Sequence, residues 1–150
     1  KILGVDLSAQ AVSVPCFDRL PEDRAGFQAD RASFHLSLDR RLAGEKGVVF
    51  VRATSNELAV LGVHEGDYVL IEPAVFDELD DGDIVVARVG AGSWFHRMSM
   101  NGRGVRLESL RAGGGVTAVE EPERLQILGR VTAFYRRLDG SAGPLNLTHH

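Results

Sequence analysis

The stretch Asp81-Gly82-Asp83-Ile84-Val85-Val86-Ala87-Arg88-Val89-Gly90-Ala91-Gly92-Ser93-Trp94-Phe95-His96-Arg97-Met98 decides the fold. Asp-Gly-Asp is a turn signal, and the β-branched run that follows has the length of a strand. Gly90-Ala91-Gly92 then reverses the chain into a second run, so the stretch reads as a β-hairpin. Asn101-Gly102 suits a tight turn with positive φ, which predicts that Val105-Arg106-Leu107-Glu108-Ser109-Leu110 returns antiparallel. The result is a meander.

Working outward, Asp67-Tyr68-Val69-Leu70-Ile71-Glu72 is entered through Glu65-Gly66 and stopped by Pro73, which cannot donate to a ladder. Gly47 to Ala53 is a further β-branched run, followed by a loop carrying Ser55. Downstream, Ala112-Gly113-Gly114-Gly115 breaks the chain. Leu125 to Leu138 then reads as a long strand with a bulge or bend at Gly129. Ala11 to Phe17 reads as a short strand, and Pro21 to Arg31 as a charged loop with a helical turn. Long stretches of helical period are scarce, so the fold class is mainly β.

The composition, with 44% apolar and 25% charged residues, excludes a disordered chain, a collagen-like repeat and a disulfide scaffold. A net charge of −4 argues against this segment gripping nucleic acid by itself, which needs clustered cations. DNA binding by a neighbouring domain stays open. Of seventeen basic residues only Lys1 and Lys46 are lysines. Cys16 is the single cysteine and reads as a buried, inert thiol, as expected in a reducing compartment. No apolar run approaches a membrane span and the first residues lack the order of a signal peptide, so the expectation is a soluble, cytoplasmic chain. The expected organisation is a boundary segment over 1–13, a domain over 14–138 and a loose tail over 139–150, within a larger parent protein.

The order of strand, Ser loop, Gly66-Asp67 with its apolar strand, Gly82-Asp83-Ile84-Val85-Val86-Ala87-Arg88, hairpin and Phe95-His96-Arg97-Met98 resembles the carboxy-terminal domain of LexA-like repressors and their signal-peptidase relatives. The resemblance spans roughly Val14 to Leu138 and implies an S24-type domain with several coiled antiparallel β-sheets. It further implies a serine nucleophile in the loop after the first central strand, where Ser55 falls. A lysine in the later hairpin strand would take its proton, and that position is held by His96. No lysine follows residue 46. Where the family reads Gly-x-Ser-Met, this chain reads Ala53-Thr54-Ser55-Asn56.

The family's self-cleavage segment corresponds to Leu20-Pro21-Glu22-Asp23, and Ala25-Gly26 would need a register shift to replace it. The first reading is therefore a regulatory, self-associating domain of a transcription regulator, impaired in self-cleavage. The resemblance implies a homodimer paired through the C-terminal strand, Leu125 to Leu138, covering an exposed edge. It also implies DNA contact only through a domain outside this chain, an activator protein, and no membrane.

One branch of the signal peptidases pairs serine with histidine, and His96-Arg97 is similar to that branch's pair. An imidazole with a pKa near ~6.5 is a competent base, so the alternative is a serine endopeptidase or autopeptidase using Ser55 and His96. A third reading is a β-domain sensing a small ligand in a vestigial cleft.

Each candidate has a plainer account. By strand alternation His96 shares a face with Trp94 and Met98, which makes it a packed, hydrogen-bonded histidine. Ser55 follows the parity of Val49, Val51 and Ala53, which points it inward. His64 reads as a turn residue, Met98-Ser99-Met100 as a strand end, and Asp77 to Asp81 as a solvated acidic turn. One cysteine and scattered histidines lack the spacing of a zinc site, and the glycines at 113–115 lack the partners of a phosphate loop. No metal and no cofactor is expected.

Overall fold

A computed structural model describes residues 10–138. The segment 1–9 and the tail 139–150 lie outside the described residues. Hydrogen bonding links nine strands into one mixed sheet in the order β2-β1-β3-β4-β9-β5-β6-β7-β8. These are β1 (Ala11–Phe17), β2 (Phe34–Asp39), β3 (Val49–Arg52), β4 (Tyr68–Glu72), β5 (Ile84–Val89), β6 (Gly92–Asn101), β7 (Gly104–Ser109), β8 (Val116–Val119) and β9 (Ile127–Tyr135). The mainly β expectation holds. All ladders are antiparallel except β1 with β3, which run parallel through Cys16↔Phe50 and Phe17↔Val51.

The meander forms from local turn chemistry. Val89 pairs with Gly92 across Gly90-Ala91, and Gly90 takes φ 65°, as the first central residue of a tight hairpin turn must. The next turn departs from expectation. Asn101 pairs with Gly104, and the positive φ (112°) lies at Gly104, not at Asn101 or Gly102. The reason is that the Asn101 carboxamide accepts the Arg103 N–H at 2.7 Å, which closes the turn through a side chain.

Three apolar clusters fill the molecule. Phe50 packs with Val14, Leu36, Leu38, Tyr68 and Leu70, while its neighbours Val49 and Val51 join Leu58, Val63, Val69, Ile71, Val86, Phe95 and Leu128 on the other face. Val85, Ala87, Met98, Leu107 and Ile127 form the third. β3, β4 and β5 are therefore covered on both faces, which is why they read as continuous apolar runs rather than alternating ones. Cys16 lies in the first cluster at 1% exposure, and burial pushes its thiol up to about 12.

β9 occupies the middle of the sheet. Ile127, Gly129 and Arg130 pair with β5, and Arg130, Val131, Ala133, Phe134 and Tyr135 pair with β4. Leu128 is skipped in the β5 register, so the bulge expected at Gly129 sits beside it. Only Arg130 pairs on both sides, and over 127–129 no described strand pairs on the side away from β5. Over 131–135 no described strand pairs on the side away from β4.

Candidate functional site

Two matching turns set the site's frame. His64-Glu65-Gly66-Asp67 and Asp80-Asp81-Gly82-Asp83 each close on their aspartate: Asp67 Oδ2 accepts the His64 N–H at 2.7 Å, and Asp83 Oδ2 accepts the Asp80 N–H at 2.8 Å. His64 is thus the turn residue the sequence predicts. Each aspartate also meets an arginine from the C-terminal strand region. Arg136 forks onto Asp67 through Nε (2.9 Å) and Nη2 (2.7 Å), and Arg130 reaches Asp83 at 3.3 Å while also pairing with Glu72.

Asp67 is 2% exposed. Burial pushes its carboxyl up, but the Arg136 hydrogen bonds, the His64 N–H and the Arg136 charge outweigh this and hold it below the ordinary carboxylate value. A carboxyl depressed in the fold contributes stability above its unfolded value near ~3.9 and loses that contribution as pH falls through the folded value. Asp67→Asn is therefore expected to flatten the acid limb of a plot of urea midpoint against pH below ~4. An acid limb as steep as that of the parent chain would refute the assignment.

The Ser55 loop begins where β3 ends at Arg52. Its base is closed by Ala53 N–H to Asp67 O (2.8 Å) and Gly66 N–H to Ala53 O (2.7 Å), and Leu58 and Val63 anchor it in the second cluster. Ser55 is exposed, which corrects the inward reading. Alternation fails there because the strand has already stopped at Arg52, one residue after Val51. The Ser55 hydroxyl accepts the Glu57 N–H at 3.4 Å, a local serine turn.

Ser55 lines a cleft of about 450 Å³. Its walls are Arg19 to Glu22, Val51 to Ser55, Glu57 and Leu58, and Gly92 to Phe95. The segment expected to correspond to a self-cleavage site thus meets Ser55 across one cleft, through Leu20, Pro21 and Glu22. It is fastened there: Arg88 Nη1 (3.1 Å) and Ser93 Oγ (2.9 Å) both donate to the Glu22 carbonyl. Arg24 Nε and Nη2 donate to the carbonyls of Ile127 (2.9 Å) and Ala74 (3.0 Å). Ala25-Gly26 instead lies inside the 3-10 turn Arg24–Phe27, capped by Asp23, and a Cβ on Gly26 would fall 2.2 Å from the Pro21 ring. That peptide bond is not extended.

His96 is 5% exposed and lies between Val85 and Ser109 in register. It is packed and hydrogen-bonded, its Nδ1–H donating to the Trp94 carbonyl at 3.1 Å. Trp94 does not share this burial. It is 37% exposed under the Arg111 guanidinium, 4.1 Å from the ring centroid, because β6 reaches the cleft rim there. Burial holds the His96 imidazole below its ordinary value and the Arg111 charge adds to this, against the Trp94 hydrogen bond. That direction favours the neutral ring at pH 7, and with Nδ1–H donating, its lone pair lies on Nε2.

Among the described residues no hydrogen bond joins His96 to Ser55, and the cleft wall on β6 stops at Phe95. Phe95 packs in the same cluster as Leu58 of the Ser55 loop. Glu57, which the sequence did not single out, adds a carboxyl to the cleft that burial lifts above the usual range, with the Arg111 charge pulling it partly back. Met98 is a core residue at 0% exposure, and Asp81 accepts the Met100 N–H, so neither Met98-Ser99-Met100 nor the acidic turn adds to the cleft.

Fold and cleft together define a mixed β domain with a serine loop facing a fastened peptide segment. A Peptidase S24-like domain matches residues 23–132, and the chain belongs to that family. No curated protein matches it. Among the described residues no helix is long and apolar enough to cross a membrane.

Proposed function

We propose that this chain is the regulatory, self-associating domain of a cytoplasmic LexA-like transcription regulator in which self-cleavage is impaired. One observation carries the reading: among the described residues the Ser55 hydroxyl accepts only the Glu57 N–H, and His96, at the family's base position, bonds back to its own strand. A serine without a base in hydrogen-bond reach is a poor nucleophile. The grip of Arg88 and Ser93 on the Glu22 carbonyl, with Arg24 pinning the chain just beyond it to Ile127 and Ala74, supports a cleft that holds its own segment rather than turning it over. DNA contact then belongs to a domain outside this chain, and dimer formation to the unpaired side of Val131 to Tyr135.

The test is prolonged incubation of the parent protein at mildly alkaline pH, with and without cellular activator proteins. The chain is expected to stay intact and to scatter light as a dimer at roughly tens of micromolar. Cleavage between residues 20 and 26 that Ser55→Ala abolishes would overturn the impaired reading, and a monomer would overturn self-association.

A second reading has its own support. The neutral His96 ring carries its lone pair on Nε2, the state a general base needs. If Ser55 and His96 act as a dyad, cleavage rises with pH through a value below ~6.5 and then levels off. Ser55→Ala and His96→Ala each remove it.

A further inference from the structure

We propose that Arg136 is a positioning residue for the Ser55 loop, tying that loop to the C-terminal strand. The inference rests on the proposed reading in which the Ser55 loop forms the cleft wall opposite Leu20 to Glu22. Ser55 itself is exposed and, among the described residues, held by one long hydrogen bond. Its placement therefore depends on what holds the loop elsewhere.

The loop from Ala53 to Asp67 has a base and a far end. The base is the pair of main-chain bonds between Ala53 and Gly66-Asp67, and the far end is the 3-10 turn Ala59–Leu61, which stops at Gly62. One guanidinium bridges the two. Arg136 Nη2 donates to the Gly62 carbonyl at 2.7 Å, and Nε and Nη2 grip the Asp67 carboxylate at the base. Asp67 is buried, and its Oδ2 also accepts the His64 N–H within the same loop.

The strand adds a second contact from the same face, since residues two apart on an extended chain point the same way. The Phe134 ring lies 3.9 Å from where a Gly62 Cβ would sit, and the Arg136 guanidinium lies 5.8 Å from the Phe134 ring centroid. A planar fork with fixed donors can serve a carboxylate and a carbonyl at once, whereas an ammonium acts as a single point charge. The brace is therefore specific to arginine.

Amide hydrogen exchange on the full chain tests this with Arg136→Ala, Arg136→Lys and Asp67→Asn. Arg136→Ala is expected to speed exchange over 54–62 on the order of tenfold while the amides of β5 to β7 keep their rates, the pattern of a local opening. Arg136→Lys should recover only part of the protection, and Asp67→Asn should reproduce the local loss. Unchanged rates over 54–62 would overturn the proposal, as would equal acceleration across the whole sheet or full protection with lysine. If Arg136→Ala fails to fold, the two milder variants decide by the same criteria. Because the measurement reads loop order and not bond cleavage, an inert Ser55 in the cleavage assay leaves this result free to come out either way.

Discussion

Phe50→Ala is expected to lower the free energy of unfolding by about 3–5 kcal/mol, as large-to-small changes of buried aromatics do. Phe50 is 0% exposed, and its ring meets Tyr68 edge-on at 6.1 Å and Tyr135 edge-on at 5.8 Å. Tyr68 in turn meets Phe34 at 6.2 Å. The series runs through β2, β3, β4 and β9, so one ring joins the N-terminal hairpin to the C-terminal strand. Each such pair adds about 0.5–1.5 kcal/mol beyond the area it buries. The cavity left by alanine has rigid strands on several sides and little chance to collapse. Since total stability of a domain is about 5–15 kcal/mol, the variant should be partly unfolded at modest urea. It should also lose order at the Ser55 loop, which β3 leads into directly. Urea denaturation followed by circular dichroism measures the loss. A cost below about 1.5 kcal/mol would mean that the aromatic series does not bind the two ends of the chain together.

What could be read from the residues divides by distance along the chain. The β5 to β7 meander was legible because its turns are local, a glycine in the first hairpin turn and an Asp-Gly-Asp entry. β2 was missed although Phe34, Leu36 and Leu38 alternate with polar residues, because the surrounding segment is charged and broken. β8 was missed for a different reason: Val116 to Ala118 are exposed, and a four-residue strand that packs only Val119 against the core leaves no hydrophobic pattern. The parallel pairing of β1 with β3, and the central place of β9, depend on partners far along the chain, which periodicity cannot name.

The site divides in the same way. Ser55 was singled out by the family resemblance, and the burial of His96 was read from alternation. The exposure of Ser55 was hidden because the strand ends at Arg52. Asp67 was legible as part of a turn, but its partner Arg136 is sixty-nine residues away. The grip of Arg88 and Ser93 on the Glu22 carbonyl was equally out of reach, since a main-chain acceptor leaves no mark on residue identity.

Gly129→Ala is expected to cost about 3 kcal/mol, the upper end of the range for overpacking a filled site. A Cβ at this position would lie 2.5 Å from Ile71 Cγ2 and 2.7 Å from the Glu72 carbonyl oxygen. The second contact is with main chain, which cannot rotate away as a side chain can. The consequence reaches further than one clash. β9 is the only described strand that joins the half of the sheet built from β1 to β4 to the half built from β5 to β8. Gly129 pairs with Val86 on one side, and its neighbour Arg130 pairs with both Val85 and Glu72. Forcing the strands apart here loosens the seam between the halves and shifts the unpaired side of Val131 to Tyr135, on which self-association is proposed. Trp94, the single tryptophan, lies on β6 and reports on one half, whereas circular dichroism reports on both. The two signals should coincide in the parent chain, and the variant should unfold at lower urea with the signals separated. Gly102→Ala is the control, with no atom within 4 Å of the added Cβ and no positive φ, and should fall within about 0.5 kcal/mol of the parent. Equal midpoints for the two variants would show that the seam has room to spare and that β9 does not hold the halves together.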